Sequence, residues 1–177
     1  MRRVRYQVAM SLDGYIAGPN GEYDWIIMDP EIDFQEFFSQ FDTVLLGRRA
    51  FEPMVESGNE SMFAKMKMVV VSRTLKADDH PGVTIVGDNL EKTVKALRDE
   101  AGKDIWLFGG GLLFQSLLAV KLVDTVEVAI IPVLLGGGVQ MLPPPVKTES
   151  LILTNHKVYR NSGIVLLEYD LKRNMSS

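Results

Sequence analysis

The chain has 177 residues, is 46% hydrophobic and 24% charged, carries no cysteine, and has a formal net charge of −4. That length and composition fit one globular domain, and the missing cysteines exclude disulfide scaffolds, thiolate nucleophiles and sulfur-bound zinc. Two histidines argue against a His-rich metal site, so no metal is expected, and the acidic balance argues against nucleic acid as a partner.

Val4, Tyr6, Val8 and Met10 alternate with polar neighbours, which predicts a first strand and not a signal peptide. The longest apolar stretch, 126–135, is too short to span a bilayer, so no membrane partner and a cytoplasmic location are expected. Residues 11–21 are rich in glycine and turn formers and read as a long loop. Phe34, Phe37, Phe38 and Phe41 fall at i, i+3, i+4 and i+7, the stripe of a helix. A short strand at 43–46 then ends in Gly47-Arg48-Arg49, and a helix runs from about Arg49 toward Gly58.

Strands follow at 66–72 and 83–86, a helix with Leu90, Val94, Leu97 and Ala101 on one face, and a buried strand at 104–108 that runs into Gly109-Gly110-Gly111. A helix at about 112–119, a strand at 125–131 and a hairpin of 151–160 and 164–171 turning at Asn161-Ser162-Gly163 complete the chain. Alternating strands and helices predict a three-layer α/β domain, a mostly parallel central sheet flanked by helices with an antiparallel C-terminal hairpin. One domain is expected over 1–172, with a disordered tail at 173–177.

In open parallel sheets the ligand lies beyond the carboxyl ends of the strands. Gly47-Arg48-Arg49, Ser72-Arg73-Thr74 and Gly109-Gly110-Gly111 stand at such ends. Glycines let backbone N–H groups approach an anion, a following helix adds its positive end, and arginines grip phosphate with paired donors. Together they describe a nucleotide cradle, with the arginines suited to an extra 2′-phosphate.

The segments Val8 to Ala17 with Ser11-Leu12-Asp13-Gly14, Val44 to Arg49, Val69 to Arg73 and Leu107 to Gly111 occur in an order that resembles the dihydrofolate reductase superfamily. Ser-Leu-Asp-Gly and Ile131 to Gly138 resemble more specifically its riboflavin-biosynthesis branch, the reductase domain of the bifunctional deaminase-reductase. The resemblance implies a dihydrofolate reductase-like fold and a reductase with NADPH as hydride donor. Its expected substrate is a small heterocycle, most like 5-amino-6-(5-phosphoribosylamino)uracil, and its expected assembly a homodimer. It places Ala9, Ile16 and Ala17 at the nicotinamide, and Gly47, Arg48 and Arg49 at the pyrophosphate and ribose phosphate. Ser72 and Arg73 fall around the 2′-phosphate, and Gly109, Gly110, Gly111, Leu112 and Leu113 cradle the pyrophosphate, the bond between paired glycines often being cis.

Two departures stand out: Met66 occupies the position where folate enzymes carry an arginine, and Phe114 replaces an expected tyrosine. The catalytic carboxylate has three candidates, Asp13 on the loop and Glu31 and Asp33 near the first helix, while Asp13-Gly14 also reads as a turn and the acidic pair as helix-start residues. Trp25 and Phe114 are the candidates for the substrate pocket. Alternatives are dihydrofolate reduction, or a catalytically silent NADP-binding module that dimerises on the apolar strand 125–131.

Overall fold

The computed structural model describes residues 1–172; the expected tail at 173–177 lies outside the described residues. Strands β1 (Val4–Ser11), β3 (Phe41–Gly47), β4 (Lys67–Val71), β5 (Val83–Val86), β6 (Asp104–Gly109), β7 (Thr125–Ile131), β9 (Leu151–Tyr159) and β10 (Ile164–Leu171) form one sheet in the order β5-β4-β3-β6-β1-β7-β10-β9. From β5 to β7 every pairing is parallel, and β10 and β9 close the sheet antiparallel.

Helices cover both faces, and each strand's alternation divides its side chains between them. Val4, Tyr6, Leu45, Val69, Ile105 and Leu107 meet Val94 and Leu97 of α3 (Leu90–Asp99) and Leu113, Phe114 and Leu117 of α4 (Gly111–Ala119). Val44, Leu46, Val70 and Trp106 point the other way, toward Phe37 and Phe38 of α1 (Phe34–Ser39) and Phe51 of α2 (Arg48–Glu56). Burial on both faces is why these strands read as near-continuous apolar runs.

Three expectations change. The phenylalanine stripe is split: α1 ends at Ser39, and Phe41 begins β3 opposite Asp104, because its ring completes the cluster around Trp106, 5.7 Å away. The loop after β1 contains a short strand, β2 (Tyr15–Ala17), paired with β8 (Val139–Gln140) in a second sheet. Strand β7 cannot serve as a dimerisation edge, since β1 and β10 occupy both its sides. Among the described residues, no helix is long and apolar enough to cross a membrane.

Candidate active site

The carboxyl ends of β4, β3, β6 and β1 stand side by side and deliver the glycines, arginines and loop singled out above. Gly47 ends β3 and caps α2, while Gly109 ends β6 and Gly110 caps α4; neither cap uses a side chain. Helix first turns carry N–H groups without intrahelical partners and a positive dipole end. Two such ends therefore face the same edge of the sheet, with Arg48 and Arg49 exposed on the first turn of α2. The strand ends approach closely, a β-carbon at Gly47 lying 3.7 Å from the Gly109 carbonyl oxygen.

A cleft of about 440 Å³ opens there, lined by Arg49, Gly111 and Leu112 on one side and by Tyr15, Gly138 and Gln140 of the β2–β8 ribbon on the other. The Gly109–Gly110 peptide bond is cis. Ile16 reaches over it, its Cδ1 3.8 Å from where a Gly110 β-carbon would stand. The ribbon itself depends on Gly138, whose φ of +138° suits glycine and whose β-carbon would overlap the Ala17 carbonyl. This assigns Gly138 to close backbone packing, whereas a β-carbon at Gly136 or Gly137 would meet nothing within 4 Å.

Farther along the edge, Ser72 is buried and its hydroxyl accepts from the Thr74 and Leu75 N–H groups at 3.1 and 3.0 Å, fixing the turn that presents Arg73. Arg73 is 79% exposed and meets Asp88 at 2.7 Å, while Arg48 meets Glu52 at 3.3 Å. Exposed pairs of this kind are worth about 1 kcal/mol or less, so both guanidinium groups can be recruited by a stronger anion. The donor set fits an anionic, extended ligand: backbone N–H groups of two helix starts, then arginines, in line from β6 to β4.

The three carboxylate candidates have separate surroundings. Asp13 accepts from the Ser11 hydroxyl at 2.6 Å, the Leu135 N–H at 3.1 Å and the Gly136 N–H at 2.7 Å, latching the loop after β1 to the loop after β7. The Ser11 hydroxyl, followed by these backbone donors, holds its carboxyl below the ordinary value. Asp33 caps α1 by accepting from the Glu36 N–H at 2.9 Å. Glu31 is exposed, and its carboxylate receives a 3.4 Å contact from the Asn161 amide.

A fourth carboxylate, Asp29, is buried and ties this segment to the hairpin turn. It accepts from the Glu31 N–H at 2.9 Å and the Ser162 N–H at 3.2 Å, and the Ser162 hydroxyl is the main cause of its lowered pKa. Trp25 shares a hydrophobic cluster with Ile26, Ile32, Ala9, Ala129 and Ile131. Phe114 does not join it: the ring is buried on the opposite face, stacked on Tyr6 at 3.8 Å. The apolar face of α4 draws it into the core, as it does Leu113, which is buried and whose N–H already donates to the Gly110 carbonyl at 3.0 Å. Tyr15 and Gln140 were missed because their ribbon strands are three and two residues long and carry no periodic signal.

Both depressed carboxyls stabilise the fold through their charged forms. Their contribution is present above the unfolded value, about pH 4, and is lost as pH falls through the lower folded value. Replacing Asp13 with Ala should free the Leu135 and Gly136 amides, speeding their hydrogen exchange by about tenfold or more at neutral pH. Wild-type protein should show the same loosening only in acid. Unchanged exchange in the variant would contradict the latch.

The fold and cleft define an α/β domain of the dihydrofolate reductase-like kind. The RibD C-terminal domain family matches residues 2–166, and the chain belongs to that family. YyaP of Bacillus subtilis is 35% identical over 95% of this chain and 94% of its own. A solved structure from Shewanella sp. PV-4, linked by its name to riboflavin biosynthesis, superposes with a TM-score of 0.81 at 25% identity, covering 97% of this chain and 99% of that one. The fold is shared with the Thermotoga maritima deaminase/reductase, at TM-score 0.72 and 14% identity over 97% of this chain and 57% of that one. It is shared also with Enterococcus faecalis dihydrofolate reductase, at 0.69 and 19% over 97% of each. Family and fold together support an oxidoreductase.

Proposed function

We propose that this protein is an NADPH-dependent reductase that delivers hydride to a small heterocycle of the ribosylaminopyrimidine class, most like 5-amino-6-(5-phosphoribosylamino)uracil. The observation that carries the reading is the line of anion donors across neighbouring strand ends: the α4 start at Gly110 and Gly111, the α2 start with Arg48 and Arg49, then Arg73. Bound NADPH would supply the hydride; the protein's part is alignment, exclusion of water and management of a proton.

In this reading Gly111 and Leu112 N–H groups and Arg49 hold the pyrophosphate, and Arg48 and Arg73 meet the ribose phosphates. Ala9, Ile16 and Ala17 hold the nicotinamide end beside the cis Gly109–Gly110 bond. Trp25, packed on the Ala9 face, closes the substrate side against water. Asp13 has its carboxylate engaged by both loops and acts as a positioning residue. Asp33 serves α1 as a cap. Glu31, weakly engaged and exposed, is the carboxylate proposed to meet the substrate's polar edge. Met66 favours a pyrimidine over folate, since it packs into the aromatic cluster and offers no cation.

The assignment is tested by loss of nicotinamide absorbance with the ribosylaminopyrimidine and with dihydrofolate as acceptors. Turnover with the pyrimidine well above that with dihydrofolate is expected; NADPH binding with no consumption against either would leave only the silent module. Glu31→Gln should lower kcat by about tenfold or more, with NADPH affinity within about twofold of the parent. An unchanged kcat would remove Glu31 from the reaction.

A further inference from the structure

We propose that the turn of the C-terminal hairpin is part of the active site, with Asn161 as a positioning residue for the Glu31 carboxylate and Ser162 holding the backbone that carries it. The proposal rests on the role given to Glu31 above. Residues 18–33, the strap between β2 and α1, form neither helix nor strand, so no backbone ladder places Glu31. Side chains set its position instead. Asp29 is 2% exposed, and one of its carboxylate oxygens accepts from the Glu31 N–H at 2.9 Å while the other accepts from the Ser162 N–H at 3.2 Å. The Asp29 carbonyl accepts from the Ile32 N–H at 3.1 Å, closing a turn around Glu31. Glu31 Oε1 in its own right accepts from Asn161 Nδ2 at 3.4 Å. Carboxylates at i and i+2 of the strap thus meet consecutive residues of the hairpin turn.

The turn is the fixed partner of the two. Gly163 adopts φ +77° and donates its N–H to the Tyr159 carbonyl at 2.8 Å, and a β-carbon on it would stand 3.4 Å from Pro132 Cγ, just beyond β7. Tyr159 and Ile164, on either side of the turn, are buried in the cluster that also receives Ile32 and Trp25. A carboxylate free to rotate samples many orientations, and a misplacement of about 1 Å at a reacting group can cost on the order of 100-fold in rate. Asn161 removes that freedom at one oxygen and leaves Oε2 to accept an N–H from the acceptor's polar edge. A neutral amide suits the task, since it orients the carboxylate without the paired donors by which an arginine would occupy both oxygens. Lys157, whose Nζ lies 4.4 Å from the centre of the Tyr159 ring, acts on Asp29 through space and offsets part of the negative charge gathered there.

Asn161→Asp removes the donor and sets a second carboxylate against Glu31, and because Asn161 is exposed the domain should fold as the parent does. Turnover of the ribosylaminopyrimidine should fall about tenfold in kcat, with NADPH affinity within about twofold of the parent. In a Glu31→Gln background the same change should cost less than about twofold, because the group it positions is gone. A turn that serves stability alone would cost the same in both backgrounds. Without any acceptor, Asp29→Asn should speed hydrogen exchange of the Glu31 and Ser162 amides severalfold in a protein with parent-like circular dichroism. Parent-like kcat in Asn161→Asp, or equal losses in the two backgrounds, would overturn the proposal and leave the role of Glu31 standing. Parent-like kcat in Glu31→Gln would remove that role and the proposal with it. Exchange indifferent to Asp29→Asn would overturn the clamp whether or not an acceptor is turned over.

Discussion

Valine at Gly111 should weaken NADPH binding by about 10- to 100-fold, the equivalent of the 1–3 kcal/mol that overpacking a tight site typically costs. A β-carbon there falls against the Gln140 carbonyl oxygen and within 2.9 Å of both the Met141 carbonyl oxygen and Pro143 Cδ. Two of these neighbours are backbone atoms that cannot rotate away. The start of α4 and the β8 strand must therefore part, and they form opposite walls of the cleft. The helix stays anchored through buried Leu113, Phe114 and Leu117, so the domain should remain folded while the anion site opens. Calorimetric titration beside a thermal melt separates the two effects. Parent-like affinity in a folded variant would place the pyrophosphate elsewhere.

Charge reversal at Arg73 tests a different part of the ligand. Arg73→Glu should weaken NADPH by about tenfold or more, because an attractive guanidinium–phosphate contact becomes repulsion. NADH, lacking the 2′-phosphate, should lose far less. The variant also places two carboxylates together, since Asp88 now pairs with Arg73 at 2.7 Å, and this local repulsion acts on both cofactors alike. The difference between the two losses isolates the 2′-phosphate. Equal losses would contradict its assignment to this corner.

The parallel core was legible in the sequence because doubly buried strands leave long apolar runs and glycine punctuates their ends. Where β1 ends, where Gly47 and Gly109 stand and which helices follow could all be read from pattern. The β2–β8 ribbon could not: two strands of three and two residues depend on a glycine, Gly138, admitting the Ala17 backbone, a contact set in space and invisible in periodicity. Phe41 continued the spacing of a helix yet starts β3, because the ring is held by Trp106 and the backbone by Asp104. Tertiary packing overrode the local period.

The site divided in the same way. Glycines and arginines at strand ends carry their chemistry in their type and position. Carboxylates do not: Asp13, Asp29 and Asp33 are all turn or cap formers in sequence, and their partners come from Leu135, Ser162 and Glu36. Phe114 was assigned to a pocket by motif position, while the apolar stripe of α4 turned it onto Tyr6. The strand at 125–131 looked like an interface for its hydrophobicity, which in fact reflects side chains buried on the two faces of the sheet, Val126 and Val128 on one and Ile131 on the other, while β1 and β10 take up both its edges.

The most direct test is a parallel calorimetric and thermal-shift titration with NADPH, NADP, NADH and NAD, since a ligand that binds only the folded state raises its stability by mass action. The strand-end cradle predicts saturable binding, with the phosphorylated pair stabilising the protein more than its unphosphorylated counterparts. Failure of all four to bind, or indifference to the 2′-phosphate, would contradict it.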